Sequence, residues 1–162
     1  MHPEVAHYCA MWATGSAGVG LDIGGRDLNG NPRHLWPKVT WTVLDLRAGP
    51  GVDIVADAVT WTPDRVYDLV LCTEVLEHVE PWPEIMATAA VALAPGGRLV
   101  VTCAGPGRAP HSGIEATGIQ DGEWYRNVDP DDLSGALTAL GLTVDDCHQA
   151  GLDTRAAAHK ET

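Results

Sequence analysis

Five short apolar runs, each ending in an acidic or glycine-containing segment, constrain the fold of this 162-residue chain more than any other feature. The runs cover residues 19–23, 39–46, 52–56, 68–72 and 98–103. Their length and punctuation are typical of β-strands. Because helical patterns alternate with several of them, we predict an α/β fold with a mainly parallel sheet. In such a sheet the carboxyl ends of the strands share one edge, where doubly wound folds bind ligands.

Two later segments have the apolar spacing of amphipathic helices. Residues 82–93 place apolar side chains on one face, and Pro95-Gly96-Gly97 should end that helix. Residues 131–140 repeat the pattern after Asp129, an expected N-cap, and before Gly141, an expected stop. Residues 4–14, within an N-terminal helical segment at 1–18, are predicted to form a further helix beside the sheet.

The C-terminal part of the chain predicts an antiparallel hairpin. Residues 142–147 and 154–158 have strand character, and a short turn at 149–151 separates them. With the five earlier runs they make a seven-stranded mixed sheet that is mostly parallel, with helices on both faces. The length fits one domain over residues 1–162.

The net charge of the chain argues against two kinds of partner. Ten Lys plus Arg against 22 Asp plus Glu give a net charge of −12, which would repel a nucleic-acid backbone or an anionic membrane. We therefore expect neither as a partner.

The four cysteines lie far apart without a Cys-x-x-Cys pair, so we predict no metal ligands. Reduced thiols and the lack of a spanning apolar run favour a cytoplasmic location.

The first strand leads into a loop with the sequence GGRDLNG at residues 24–30. Gly24 and Gly25 allow a ligand to approach the backbone closely. Asp22 and Asp27 would repel a pyrophosphate and would suit a ligand with a cationic head. A glycine turn with an aspartate cap is an equally compatible structural interpretation.

Two further acids follow the next two strands. Asp45 lies where an acidic side chain of such folds accepts hydrogen bonds from ribose hydroxyls. Asp57 is placed to accept a hydrogen bond from an adenine amino group, although a lone aspartate at this position is also a common helix cap.

The fourth strand runs directly into Glu74 and His78. If the segment turns helically, both side chains share a face, and His78 is then a candidate general base; a structural role is equally compatible. His111 is a second candidate, in the long segment 104–128 that we expect on the substrate side. Trp124 and Tyr125 in that segment either contact the substrate or cover the end of the sheet.

These residues together resemble the class I S-adenosylmethionine-dependent methyltransferases, in particular small bacterial and phage domains of the methyltransferase type 11-like kind. The resemblance covers residues 20–159 and depends on five motifs: LDIGG at 21–25, LDL at 44–46, VADA at 55–58, TEVLEHV at 73–79 and LAPGGRL at 93–99. It implies a Rossmann-like fold, S-adenosylmethionine as cofactor, S-adenosylhomocysteine as product, and a small-molecule methyl acceptor.

The resemblance also implies roles for individual residues. Asp22, Gly24 and Gly25 would line the methionine end of the cofactor, Asp45 with Leu46 the ribose, Asp57 with Ala58 the adenine, and Cys72, Thr73 and Glu74 its inner edge. Where the commoner family loop has its later glycines, this chain has Arg26 and Leu28, so Arg26 or Asp27 is expected to contact the ligand. Candidate catalytic residues are His78, Glu74 and His111.

Two other functions compete with this interpretation. A non-catalytic nucleoside-binding or interaction module would keep the fold and lose turnover, and the altered first loop is compatible with it. A nicotinamide-dependent oxidoreductase would share the glycine loop and Asp45, but the chain lacks the spaced Gly-x-Gly-x-x-Gly motif that such enzymes use.

Overall fold

A computed structural model describes residues 3–13, 17–28, 30–114 and 118–162, and within them the chain forms a seven-stranded sheet. The strand order is β3-β2-β1-β4-β5-β7-β6. The strands are β1 (Gly18–Ile23), β2 (Val39–Asp45), β3 (Ile54–Val55), β4 (Tyr67–Thr73), β5 (Leu93–Ala104), β6 (Thr143–Ala150) and β7 (Asp153–His159).

The sheet is mixed, as predicted. Strands β1 to β5 pair in parallel, whereas β7 is antiparallel to both β5 and β6. The terminal hairpin is therefore confirmed, but its turn is not at 149–151. Gln149 and Ala150 belong to β6, since they pair with Thr154 and Asp153, and the chain reverses at Gly151, whose φ of 63° suits a tight hairpin turn.

Helices cover both faces of the sheet. Helices α2 (Trp82–Ala92) and α3 (Pro130–Ala139) pack on one face against a core that includes Val70 and Leu99. Helix α1 (Pro3–Met11) and a 3-10 turn at Pro32–Leu35 pack on the other. The predicted helix 4–14 is thus shorter at its end, and Thr14 lies outside the described residues.

The end of α2 differs from the prediction. The helix stops at Ala92, and Leu93 is the first residue of β5, where it pairs with Tyr67 of β4. Pro95 and Gly97, expected to follow a helix end, lie within β5. Gly97 is required there because a Cβ atom would meet the carbonyl oxygen of Ala94 at 2.8 Å. The Asp129 cap of α3 is confirmed, since its side chain accepts a hydrogen bond from Asp131 N at 2.9 Å.

The carboxyl ends of β1, β2, β4 and β5 lie along one edge of the sheet. Strand β3 is shorter than the predicted run 52–56 and keeps only two residues, although Asp53 N and Ala56 N still donate to carbonyl oxygens of β2. The loops after these strands, together with the segment that follows β5, surround the cavity described next.

Candidate active site

A cavity of about 540 Å³ opens at the carboxyl edge of the sheet, between the loops that follow β1, β2, β4 and β5. Its volume is within the range of small-molecule sites. Most of the site residues predicted from the sequence line it: Asp22, Gly24, Gly25, Arg26, Asp45, Leu46, Ala58, Thr73, Glu74, His78 and His111.

Two predicted residues do not line the cavity. Asp57 is exposed, and its carboxylate accepts a hydrogen bond from Val59 N at 2.9 Å, so it caps a turn, and no helix begins there as the alternative interpretation expected. The Cys72 side chain is fully buried in the core between the sheet and α2. Burial raises the pKa of the Cys72 thiol well above its ordinary value.

The first loop needs Gly24 and Gly25. Gly24 has a φ of 72°, a left-handed conformation that side chains disfavour, and a Cβ atom there would collide with Val75. A Cβ atom on Gly25 would collide with the carboxylate of Asp22. The absence of these two side chains leaves the backbone open to the cavity.

Asp22 is the most buried acid of the loop, with 1% of its surface exposed. Its Oδ2 atom forms an ion pair with Arg33, which also donates to Gly25 O at 2.8 Å, whereas its Oδ1 atom is buried and has no hydrogen-bond partner among the described residues. Burial raises the pKa of Asp22 to about 6, and Arg33 opposes this rise. Asp22 therefore offers one unused acceptor at the cavity wall.

Sequence reasoning missed Arg33. The residue lies in the 3-10 turn that begins after Asn31, whose side chain accepts a hydrogen bond from Arg33 N at 3.2 Å. An asparagine followed by proline is a start signal for such a turn, and it brings Arg33 back over the first loop.

Asp45 connects the end of β2 to the first loop. Its Oδ2 atom accepts from Arg26 N at 3.2 Å and its Oδ1 atom from Arg47 N at 2.9 Å. Each carboxylate oxygen keeps a further lone pair for a ligand. Asp27, in contrast, uses its carboxylate within the loop, accepting from Gly30 N at 2.9 Å and Asn31 Nδ2 at 2.8 Å. Of the pair Arg26 and Asp27, Arg26 is the one that lines the cavity.

Glu74 is held by an ion-pair network. Its carboxylate accepts from Thr102 Oγ1 at 3.1 Å and from Arg108 Nη1 at 2.7 Å, and Arg108 also donates to Asp153 Oδ1 at 2.8 Å. The backbone of Glu74 has a φ of 58°, which is uncommon for a residue with a side chain and frequent at functional sites. The Glu74 carboxylate therefore stabilises the loop after β4 rather than serving as a free general base.

The predicted helical turn that would align Glu74 with His78 is only a 3-10 turn at Leu76–His78, yet both side chains line the cavity. The ring of His78 packs at 5.0 Å from the ring of His111 and at 5.6 Å from that of Tyr125. Burial, and then the neighbouring His111, lower the pKa of His78 to about 4, so it is neutral at pH 7. Trp124 also lines the cavity, with 41% of its surface exposed.

Glu77 is a second residue that sequence reasoning missed, although it stands beside His78. It is fully buried, and no side chain among the described residues donates a hydrogen bond to its carboxylate. Its Oε1 atom lies 4.0 Å from His78 Nε2 and 3.9 Å from His111 Nε2. Burial, and then the charge of Glu74, raise the pKa of Glu77 to about 8.

The chain is similar to known proteins in both sequence and structure. A family model for a methyltransferase domain matches residues 9–146. No curated protein sequence gives a match. In the part of the chain that the structure describes, no helix has the length and apolar character needed to cross a bilayer.

Several solved structures share the fold. A DhpI complex with S-adenosylhomocysteine aligns with a TM-score of 0.71 and 22% identity over 98% of this chain and 85% of that chain. The 1,6-didemethyltoxoflavin-N1-methyltransferase of Burkholderia thailandensis, solved with 1,6-didemethyltoxoflavin and S-adenosylhomocysteine, aligns with a TM-score of 0.71 and 19% identity over 99% and 78% of the two chains. The N-methyltransferase NodS of Bradyrhizobium japonicum aligns with a TM-score of 0.66 and 17% identity over 97% and 84%.

The structural similarities establish the Rossmann-like architecture, and the family model extends over most of the sequence. Because that model matches residues 9–146 of 162, the chain belongs to the methyltransferase domain family and has the fold of its class I members.

Proposed function

We propose that this protein is an S-adenosylmethionine-dependent methyltransferase that acts on a small-molecule acceptor. The observation that carries the proposal is the buried carboxylate of Asp22: the residue lines the cavity beside the glycine loop, and its Oδ1 atom has no hydrogen-bond partner among the described residues. A buried acceptor without a partner is costly, and a ligand with a cationic amino group would satisfy it.

The residues present fit the cofactor over its length. Asp22 would accept a hydrogen bond from the amino group, and the bare backbone at Gly24 and Gly25 gives room for the methionine end. Asp45 retains lone pairs for the ribose hydroxyls. Leu46 and Ala58 also line the cavity and offer apolar contacts for the nucleoside.

The bound cofactor would supply an electrophilic methyl group on a sulfonium. Transfer by in-line displacement depends on alignment of the acceptor and exclusion of water. Trp124 and His111, from the long segment after β5, line the cavity, and they would shield an acceptor from solvent. His78, which is neutral at pH 7, would orient the acceptor by hydrogen bonding.

Cavity size and charge support a small acceptor. A volume of about 540 Å³ is suited to ligands of drug size. The net charge of −12 disfavours nucleic acid. The 1,6-didemethyltoxoflavin-N1-methyltransferase, which shares the fold, was solved with a small molecule, 1,6-didemethyltoxoflavin, bound to it. The cysteines at 9, 72 and 103 are unpaired and buried, which supports a cytoplasmic location.

Isothermal titration calorimetry tests the cofactor assignment. The purified chain would be titrated with S-adenosylmethionine, S-adenosylhomocysteine and NAD⁺. We expect micromolar binding of the first two and none of NAD⁺. Absence of binding by all three would contradict the proposal and favour a non-catalytic module with this fold.

A further inference from the structure

Three side chains with metal-binding atoms meet on one wall of the cavity. They are Glu77 and His78, from the 3-10 turn after β4, and His111, from the segment after β5. One carboxylate oxygen and one nitrogen from each histidine all lie within 4.8 Å of one another.

Glu77 is the buried member of this cluster. It is fully buried, no side chain among the described residues donates a hydrogen bond to it, and its Oε1 atom lies 4.0 Å from His78 Nε2 and 3.9 Å from His111 Nε2. A buried carboxyl group is desolvated, so a bound cation would stabilise its charged form. The charge of Arg108 acts in the same direction, while its guanidinium donates to Glu74 and Asp153.

The contacts of His111 suit a metal ligand. His111 Nδ1 lies 3.3 Å from Ala109 O, a contact that favours a proton on Nδ1 and leaves the lone pair of Nε2 toward Glu77. The phenol oxygen of Tyr125 is also buried without a partner, and its ring packs 5.0 Å from that of His111.

We propose that Glu77, His78 and His111 bind a divalent transition-metal ion on the acceptor side of the cavity. Two imidazoles with one carboxylate suit Zn²⁺ or Fe²⁺, whereas Mg²⁺ and Ca²⁺ prefer all-oxygen sites. Ligand atoms around a tetrahedral Zn²⁺ lie about 3.4 Å apart. The observed separations of 3.9 and 4.0 Å from the Glu77 oxygen therefore need only a small inward movement.

The ion would keep an open coordination position toward the cavity, because His78 and His111 line it and Glu77 lies behind them. Water or an oxygen atom of the acceptor would occupy that position. The sequence predicted no metal ligands because His111 is far from Glu77 and His78 along the chain, so no metal-binding spacing is visible.

The test measures metal binding directly. The full chain, treated with EDTA and dialysed, would be titrated with Zn²⁺ by calorimetry and with Co²⁺ by visible absorption. We expect one ion per chain and d–d bands of a low-coordinate site. Glu77→Gln and His111→Ala should each weaken binding by at least about tenfold, since each removes a ligand.

A matched control is His159→Ala. His159 is a half-buried histidine outside the cavity, beside Asp145 and Glu161, so it represents adventitious binding. The control should leave affinity unchanged. Binding that is absent in the unmodified chain, unaffected by both site variants, or lost in the control would overturn the proposal. If Glu77→Gln fails to fold, the half-buried His111→Ala decides alone. The measurement uses no S-adenosylmethionine, so its outcome is independent of methyl transfer.

Discussion

Arg33 forms an ion pair with the buried Asp22 and also donates to the carbonyl oxygen of Gly25, 2.8 Å away. This pairing uses one carboxylate oxygen of Asp22, while Oδ1 has no hydrogen-bond partner within the described part of the chain. The loop is thereby fixed before a ligand arrives, and one acceptor stays available for it. A rigid site of this kind loses little entropy on binding.

Asp45→Ala should weaken S-adenosylmethionine binding by about 1–3 kcal/mol, because the ribose hydroxyls would lose their acceptor. Calorimetry measures the change. Asp64→Ala is the matched control, since Asp64 is exposed and outside the cavity. Asp45 also accepts from Arg26 N and Arg47 N, so the unfolding of both variants should be compared. Equal affinities of the two variants for S-adenosylmethionine would show that Asp45 does not bind the ribose.

Cofactor affinity should depend on pH through Asp22. The pKa of Asp22 is raised to about 6, so the carboxyl is protonated below that pH and charged above it. A cationic amino group favours the charged form, and binding below pH 6 must then release a proton. Affinity should fall by up to about tenfold per pH unit below 6 and be constant from 7 to 8.

Calorimetry from pH 5 to pH 8 checks this expectation. In Asp22→Asn the dependence should be lost, because the group no longer titrates, and affinity should be low throughout. A constant affinity of the unmodified chain across the range would show that Asp22 does not face the amino group.

Gly24→Ala should lower the free energy of unfolding by about 1–3 kcal/mol, since the φ of 72° is strained for alanine and the new Cβ atom would collide with Val75. Gly135→Ala is the control: Gly135 lies inside α3 and a Cβ atom there meets nothing within 4 Å. That substitution should stabilise the protein by up to about 1 kcal/mol. Urea denaturation that gives both variants the same sign of change would contradict the loop geometry.

Arg108→Ala should destabilise the protein by about 2–4 kcal/mol, because it leaves Glu74 and Asp153 as partly buried carboxylates without their shared cation. Arg108→Lys keeps the charge with fewer donors and should lose less. Chemical denaturation compares the two. A neutral effect of Arg108→Ala would mean that solvent screens this network in spite of its partial burial.

The sequence was sufficient for the order of structural elements because apolar periodicity and punctuation are local signals. The prediction was wrong at Leu93. This residue fits the helical pattern, but it pairs with Tyr67 and is the first residue of β5. That pairing joins residues distant in the chain, so no local pattern contains it. The shift of the hairpin turn to Gly151 has a similar cause, since the register of β6 with β7 fixes it.

For the site, the glycines and the strand-end acids were identifiable because their positions repeat a known pattern. Arg33 and Glu77 were not, since each is a single charged residue whose role depends on what packs around it. For Asp57 the motif predicts a ligand contact, and the structure adds that its Oδ1 atom accepts a hydrogen bond from Val59 N within a turn.

The most direct test of the account is a crystal structure of the chain with S-adenosylhomocysteine. We predict that the ribose hydroxyls bind Asp45, the amino group binds Asp22 Oδ1, and the sulfur points toward the wall formed by His78 and His111. A ligand bound outside this cavity, or bound in it with Asp22 Oδ1 still unpartnered, would contradict the central claim.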